Sequence, residues 1–312
     1  MTSEVRRAAQ ILRAGGLVAF PTETVYGLGA DAASEKAVSR LYAVKRRPAN
    51  HPVIVHFANP NAAFAWAREV PESAAALAKK FWPGPLTLVL GRSALARDFV
   101  TGGQDTVGLR VPSHPVAQRL LREFGGAVAA PSANRFGLVS PTSAAHVRDD
   151  LGGDVDLVLE GGQSEVGIES TIVDLSGAAP VLLRPGHITR KQLEASVGTV
   201  LEKGEASPRH SGGLERHYAP RTPARLVPTY ALDGEIAKGK HKVAVLAFSR
   251  PDERVDFWLR MPRDPRAYAQ RLYAALRELD TAGCERILVE APPQAPEWSA
   301  VHDRLRRACE AA

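Results

Sequence analysis

Short apolar runs alternate with segments of helical periodicity over residues 1–201. This alternation predicts an α/β domain, with a strand at each apolar run and helices between several of them. The predicted strands are Leu17–Phe20, Val53–Phe57, Leu86–Leu90, Val107–Val111, Ala127–Ala130, Leu157–Leu159, Ser170–Leu175 and Val181–Arg184. Because some strands follow one another without a helix, we expect a mixed sheet rather than a purely parallel one.

Capping residues mark the ends of several predicted helices. Ser34 precedes one helical segment, Asn59 with Pro60 opens another, and the segment 115–124 ends at a Gly-Gly pair. Short polar side chains before a helix and glycine after it are the usual cap residues. The first sixteen residues place Val5, Ala8, Ala9 and Leu12 on one stripe, which predicts an amphipathic helix rather than the apolar block of a signal peptide.

The hydrophobic period breaks at EKGEASPRHSGGLERHYAPRTPAR, which we interpret as a linker over residues 202–225. Residues 226–312 then contain two strand runs, KVAVLAF from Lys242 and RILVE from Arg286, and a helix capped by Asp264. The closing segment, from about residue 296 to 311, is again helical in pattern. The tail therefore predicts a small, separate βαβα domain.

Composition narrows the class of protein. The 312 residues are 45% hydrophobic and 24% charged, values typical of a globular protein rather than a disordered one. No apolar run reaches the ~18 residues that a membrane helix needs, so we expect a cytoplasmic protein without a membrane partner. Two cysteines are too few for a four-thiolate zinc site or a disulfide framework. The net charge of +6 is compatible with nucleic acid, an anionic small molecule or no specific partner.

Polar residues collect in five clusters at strand ends, where open α/β sheets bind ligands. In PTETVYGLGADA, residues 21–32, two glycines would let backbone approach a ligand, although a simple glycine-containing turn fits equally well. In the second cluster Lys45, Arg47 and His51 suit a triphosphate, or else form a solvated basic helix end. His56 lies inside an apolar strand, where spacing alone favours a hydrogen-bonded core histidine.

The third cluster, TGGQDTVGLRVPSHP, resembles an anion-binding loop that leads to a cation. Arg110 and Arg184 each end an apolar strand, and arginine is rarely buried without a partner. Each therefore binds an anionic ligand or forms a salt bridge with a carboxylate of its own domain. Both alternatives stay open on the sequence.

The last two clusters, APSANRFGLVSPTSAAHV and VGIESTIVDL, are rich in short hydrogen-bonding residues flanked by Pro and Gly. Ser140 before Pro141 has the pattern of a helix N-cap. The sequence contains no G-x-S-x-G elbow, GxxxxGK[ST], GxGxxG or HExxH, which excludes the corresponding hydrolase, P-loop, dinucleotide and zincin sites. We expect a pocket of hydroxyls, amides and arginines that holds a small polar substrate beside phosphates.

Eight segments occur in the order found in the YrdC-type threonylcarbamoyl-AMP synthases, which residues 1–222 closely resemble. They are PTETVYGLGADA, KRRPANHPVIVHF, FWPGPLTLVL, TGGQDTVGLRVP, APSANRFGLVSPT, VGIESTIVD, LRPG and HYAP. The linker and tail resemble the longer form of these enzymes, which has a small Rossmann-like C-terminal domain. The resemblance implies a twisted, mixed open sheet and a nucleotidyltransferase that makes L-threonylcarbamoyl-AMP and pyrophosphate from L-threonine, bicarbonate and ATP. It also implies Mg²⁺ held mainly by the ATP phosphates, and a downstream transferase complex that modifies tRNA.

The resemblance further assigns site residues by their match to family motifs. The positions for threonine are Thr24, His56, Arg110 and Ser170, with Arg110 pairing with the amino acid carboxylate. The positions around ATP are Lys45, Arg47, His51, Thr106, Ser132, Asn134, Ser140, Arg184 and Tyr218, of which Lys45, Arg47 and Arg184 are the catalytic cations. Tyr218 would close over the nucleotide. The chain departs from the family at Ala130, where Thr or Ser is common, and in HSGGLERHYAP before and around His217.

Two other functions remain open alternatives on the sequence. A basic concave face could hold tRNA or double-stranded RNA without catalysis, yet aromatic residues are only 6% and no RNP-like strand or GXXG loop is present. A weak tRNA contact is compatible with either function. A related carbamoyltransferase would carry CxxC pairs and an acylphosphatase-like segment, which this chain lacks.

Overall fold

The computed structural model describes residues 2–205, 207–214, 216–238 and 242–309. They form two compact units. The first unit contains Met1–Phe136, Pro141–Glu165 and Glu169–Gly213, and the second contains Gly137–Ser140, Val166–Ile168 and Leu214–Ala312. The main division, between Gly213 and Leu214, falls inside the predicted linker.

The first unit combines a large sheet with helices. Its strands are β1 (Val18–Phe20), β2 (Gly27–Asp31), β3 (Ile54–His56), β4 (Leu86–Gly91), β5 (Thr106–Arg110), β6 (Val128–Ala129), β7 (Leu157–Val158), β8 (Thr171–Asp174), β9 (Val181–Arg184) and β10 (Leu201–Glu202). Its helices are α1 (Thr2–Arg13), α2 (Glu35–Lys45), α3 (Pro60–Phe64), α4 (Glu72–Phe81), α5 (Asp98–Thr101), α6 (Pro115–Phe124), α7 (Ala144–Leu151) and α8 (Arg190–Val197), with a 3₁₀ turn at Gly152–Asp154.

The sheet order is β10-β9-β8-β4-β5-β3-β6-β2-β1-β7. Parallel pairs such as β3 with β5 and β4 with β8 alternate with antiparallel pairs such as β4 with β5, so the predicted mixed sheet is confirmed. Successive residues of β1 face opposite sides, since Val18 and Phe20 pack with α1 and α6, while Leu17 and Ala19 pack with α2 and α7. Both faces of this part of the sheet are therefore covered by helices.

The glycines of PTETVYGLGADA have a packing role that the sequence interpretation missed. Gly27 and Gly29 lie in β2, not in a turn. A Cβ atom at Gly29 would stand 2.9 Å from the Phe20 ring and 3.0 Å from a Val128 methyl, closer than real Cβ contacts. Glycine here gives space to two neighbouring strands, so the alternative of a simple glycine-containing turn at these two residues is wrong.

Most predicted caps are confirmed. The side chains of Ser34, Asn59 and Asp264 each accept a hydrogen bond from a backbone N–H in the first turn of their helices. The predicted cap at Ser140 is wrong, because α7 begins three residues later and Ser143 accepts from the His146 N–H at 3.3 Å. Pro141 therefore precedes the helix rather than opening it.

The second unit has a four-stranded, all-parallel sheet in the order β11-β14-β12-β13. Its elements are β11 (Ala224–Val227), α9 (Leu232–Ala237), β12 (Val243–Ala247), β13 (Phe257–Arg260), α10 (Pro265–Asp280), β14 (Arg286–Glu290) and α11 (Ser299–Ala308), with 3₁₀ turns at Thr229–Ala231 and Pro296–Trp298. The sequence predicted only β12 and β14 of these strands. The two missed strands lie at the sheet edges and are only partly buried, which weakens their hydrophobic signal.

The parallel sheet of the second unit agrees with the expected small α/β domain. Strand β12 has every residue buried, as the apolar run predicts for a central parallel strand. No helix among the described residues is long and apolar enough to cross a membrane.

Candidate active site

His56 and Arg110 end two neighbouring strands of the first unit. The parallel register of β3 and β5 pairs them directly, and both side chains are buried. Burial, with the nearby Arg110 charge adding to it, lowers the pKa of His56 to about 3, so the imidazole is neutral at physiological pH. Among the described residues, neither His56 Nδ1 nor Arg110 Nε has a hydrogen-bond partner. A buried polar atom without a partner is unfavourable, and a polar ligand bound here would supply one.

Arg110 also forms an ion pair within its own unit. Its Nη2 donates to Glu23 Oε1 at 2.7 Å, and both side chains are about 95% buried. The salt bridge that the sequence left open as an alternative is thus present. It occupies one nitrogen of the guanidinium and leaves Nε for a second partner.

Ser170, one of the predicted threonine-binding residues, is bonded to Arg184. Its hydroxyl lies 2.8 Å from the Thr87 hydroxyl and accepts from Arg184 Nη2 at 3.2 Å, while its carbonyl accepts from Arg184 Nε at 3.0 Å. Thr87 is fully buried on β4 and was not predicted as a site residue. A single polar residue inside the apolar run LTLVL was the signal that could have identified it.

Arg47 and Arg184 converge on one residue of the predicted linker. Arg184 Nη1 donates to the Ser211 carbonyl at 2.9 Å, and Arg47 Nη2 lies 3.4 Å from the Ser211 hydroxyl. Arg47 is also held by the Pro52 carbonyl at 2.7 Å and packs its guanidinium over the Phe136 ring at 5.6 Å. Two buried cations thus meet at one point of the first unit, as a polyphosphate site requires.

Lys45 has a different position from the two arginines. Its Nζ donates to the carbonyls of Ser132 and Asn134 at 2.5 and 2.6 Å, so these two bonds join the end of α2 to the loop after β6. Burial, with the Arg47 charge adding to it, lowers the pKa of Lys45 well below its usual range. Lys45 therefore holds the loop that carries Ser132 and Asn134 in place.

A pocket that is partly open to solvent lies beside these residues in the first unit. Its lining includes Val53, Ile54, Thr87, Val89, Thr106 and Ile172, with Arg209, His210 and Ser211 on another side. His51 stacks edge-on against Phe136, with 5.6 Å between ring centroids. Partial burial, followed by the charges of Arg47 and Arg209, lowers the pKa of His51. The structure thus places His51 and Thr106 in the same region as Arg47.

Gln104 fixes the chain at Arg209. The side-chain oxygen of Gln104 accepts from the Arg209 N–H at 2.7 Å, and its amide donates to the Arg209 carbonyl at 3.0 Å. Arg209 in turn donates to the Gly102 carbonyl at 2.9 Å. We call residues 209–211, which these bonds hold against the pocket, the covering segment.

Two predicted ATP-site residues, Ser140 and Tyr218, belong to the second unit. Tyr218 is fully buried there with a left-handed backbone, φ 62°. Its ring lies 5.7 Å from the Tyr273 ring, and the Arg304 guanidinium stands 5.5 Å from its centroid. The proposed role of Ser140 and Tyr218 at the nucleotide stays a prediction.

Three comparisons agree with one another. A family model described as "Telomere recombination", for the Sua5, YciO and YrdC proteins, matches residues 10–186, and a model for the threonylcarbamoyl-AMP synthase C-terminal domain matches residues 188–310. The threonylcarbamoyl-AMP synthase of Pyrococcus abyssi is 41% identical over 98% of this chain and 94% of its own length. That of Bacillus subtilis is 38% identical over 98% and 92%. The crystal structure of P. abyssi Sua5 complexed with L-threonine has a TM-score of 0.93 at 39% identity, covering 99% of this chain and 94% of the other.

Proposed function

The chain belongs to the threonylcarbamoyl-AMP synthase family, and from that premise we propose how its residues make L-threonylcarbamoyl-AMP from L-threonine, bicarbonate and ATP. The observation that carries the assignment of residues is the pair of buried, unpartnered atoms, Arg110 Nε and His56 Nδ1, on neighbouring strands. A substrate carboxylate on Arg110 supplies the partner that Nε lacks.

We propose that Thr24, His56, Arg110 and Ser170 bind threonine. Arg110 takes the carboxylate, while His56, neutral because of its low pKa, offers hydrogen bonds without adding a second positive charge. The relative from P. abyssi has been crystallised with L-threonine, which supports this choice of substrate.

For ATP we propose Arg47 and Arg184 as the triphosphate cations, with Lys45, His51, Thr106, Ser132 and Asn134 around the nucleotide. The convergence of both guanidiniums on Ser211 supports this, because oxygens already occupy the position where phosphate oxygens would sit. The apolar side of the adjoining pocket suits the nucleoside.

Magnesium enters this proposal as part of the MgATP substrate. Among the described residues, no group of three His, Cys, Asp or Glu side chains could hold a metal ion. We assign none of them as a metal ligand.

The chemistry needs orientation more than a covalent intermediate. The deprotonated amine of threonine and bicarbonate give a carbamate and water. A carbamate oxygen then bonds to the α-phosphorus of ATP as the bond to the pyrophosphate oxygen breaks, and pyrophosphate leaves. Carbamate and triphosphate are both anionic, so Arg47, Arg110 and Arg184 promote the reaction by neutralising charge and fixing the reactants in line.

The product is a mixed anhydride that water hydrolyses, so a covered site protects it. We propose that a tRNA-modifying transferase consumes it after release, as the resemblance implies.

The direct test is pyrophosphate release by the pure protein with ATP, threonine and bicarbonate, omitting one component at a time. We expect release only with all three, and expect threonylcarbamoyl-AMP in the mixture by mass spectrometry. Release that does not depend on threonine would show that the substrate assignment is wrong.

A further inference from the structure

Glu23 is a buried carboxylate beside the proposed threonine site that has no role so far. It lies in the loop between β1 and β2 and is 3% exposed. Both of its oxygens are used: Oε1 accepts from Arg110 Nη2 at 2.7 Å, and Oε2 accepts from the Ser113 N–H at 3.1 Å. Glu23 therefore joins the end of β5 to the loop that follows it.

The loop that carries Glu23 is itself held in place. The Thr22 hydroxyl donates to the Val25 carbonyl at 2.6 Å and accepts from the Val25 N–H at 3.3 Å, closing a turn around Glu23. The Ser164 hydroxyl donates to the Thr22 carbonyl at 3.2 Å. From this constrained loop the Glu23 side chain extends to Arg110, and its two bonds fix the carboxylate there.

A buried ion pair is a weak source of stability, because desolvation of the two charges offsets most of their attraction. What the pair does provide is geometry. Arg110 has a long, flexible side chain, and a bond to Glu23 through Nη2 removes its rotational freedom and leaves Nε unpartnered. We propose that Glu23 is a positioning residue, which aims the free edge of Arg110 at the carboxylate of the amino acid substrate.

This inference rests on the proposed function, in which Arg110 binds the threonine carboxylate. It extends that function by assigning selectivity for a free α-carboxylate to a residue that does not itself touch the substrate. Because Arg110 is aimed before threonine arrives, little of the binding energy is used to order it.

The test compares threonine with L-threoninamide, which lacks the carboxylate charge. In the pyrophosphate assay we measure the KM for threonine and the inhibition constant of threoninamide as a competitor of threonine. The ratio that we compare is this inhibition constant divided by the KM for threonine. In the unmodified protein we expect threoninamide to bind at least about tenfold more weakly, the effect of one charge-assisted pair.

Two substitutions separate position from charge. Glu23→Asp keeps the charge but shortens the reach by one methylene, while Glu23→Gln keeps the length and an oxygen acceptor but loses the charge. If Glu23 aims Arg110, the ratio falls about fivefold or more in Glu23→Asp and less in Glu23→Gln, since fivefold lies within the usual range for one net hydrogen bond. The KM for ATP should be unchanged in both.

Other outcomes overturn the proposal. A purely structural Glu23 would weaken threonine and threoninamide together and leave the ratio unchanged. If the ratio rises, Glu23 competes with the substrate for Arg110 instead of aiming it. If the ratio falls in Glu23→Gln and is unchanged in Glu23→Asp, the negative charge of Glu23, and not its position, accounts for the selectivity.

A matched control is available at the protein surface. Glu160 pairs with Arg148 at 2.6 Å, and both side chains are more than half exposed, so the same two substitutions at Glu160 should leave the ratio unchanged. Threonine-dependent pyrophosphate release by the unmodified protein tests the proposed function separately. A failure of the Glu23 variants to change the ratio therefore leaves that function intact.

Discussion

At the scale of single residues, the candidate site contains a buried cation, Arg110, that has a carboxylate partner but also a nitrogen without a partner among the described residues. Arg110 has Glu23 on one nitrogen and a free Nε, and neighbouring His56 is neutral because burial and the Arg110 charge oppose its protonation. A second positive charge in this place would have no carboxylate to balance it. In the function that we propose, Arg110 Nε takes the substrate carboxylate and the neutral His56 gives a hydrogen-bonding contact.

His56 also predicts how stability depends on pH. The unfolded chain protonates this imidazole near pH 6.5, but the folded protein does so only near pH 3, so between these values the unfolded state binds more protons. Stability is therefore lost as the pH falls through this window. Between pH 7 and pH 5 we expect a loss of about 2 kcal/mol from His56 alone.

Urea unfolding of the unmodified protein and of His56→Gln at both pH values measures this difference. The variant should lack the His56 contribution and lose about 2 kcal/mol less over the same interval. Equal losses in the two proteins would mean that His56 is protonated in the folded state near its usual pKa.

At the scale of elements, the site depends on segments that cross between strands. Helix α2 ends at Lys45, whose ammonium holds the loop after β6 through two carbonyls. The covering segment, residues 209–211, is fixed by Gln104 and offers Ser211 to Arg184 and Arg47. Each of these contacts joins two elements that are distant in the chain.

The covering segment uses the same arginine donors that we assign to the triphosphate. Breaking the Gln104 contacts should therefore loosen the segment and release those donors. In Gln104→Ala we expect amide exchange at Arg209 to rise about tenfold, the loss of one net hydrogen bond, and the KM for ATP to fall severalfold.

Gln163→Ala is the matched control, because that glutamine donates to the Thr142 hydroxyl at 2.7 Å elsewhere in the first unit. It should change neither quantity. An increase in the KM for ATP on Gln104→Ala would contradict the competition and would mean that the segment covers the bound nucleotide instead.

At the scale of the whole molecule, the chain combines two units with separate hydrophobic cores. The position of the buried arginines helps to interpret the net charge of +6. Arg47, Arg110 and Arg184 are buried at strand and helix ends, where they suit a small anionic ligand rather than the exposed backbone of a nucleic acid.

We therefore expect the intact protein to bind tRNA only weakly and without selectivity. At low salt, tRNA and an unrelated RNA of equal length should bind alike, and both affinities should fall steeply with salt because counterion release drives them. Threonine-dependent pyrophosphate release should be much less sensitive to salt. Fluorescence anisotropy at about 50 and 200 mM salt measures both RNAs, and tight, tRNA-selective binding at the higher salt would contradict this expectation.

The sequence by itself determined the α/β class, most strands of the first unit, helix caps such as Ser34 and Asp264, and the family to which the chain belongs. These features depend on local periodicity, capping residues and the order of motifs, all of which can be read directly from the sequence. It missed β2, because glycines that make room for Phe20 and Val128 look like a turn when their neighbours are unknown.

Only the tertiary structure decided which side chains meet. Glu23 and Arg110 are 87 positions apart, Lys45 and Asn134 are 89 apart, and Arg47 and Ser211 are 164 apart. No local pattern encodes such a pairing, because it depends on strand order and register. For the same reason the sequence could name Arg110 as a binding residue but could not show that Glu23 holds it in place.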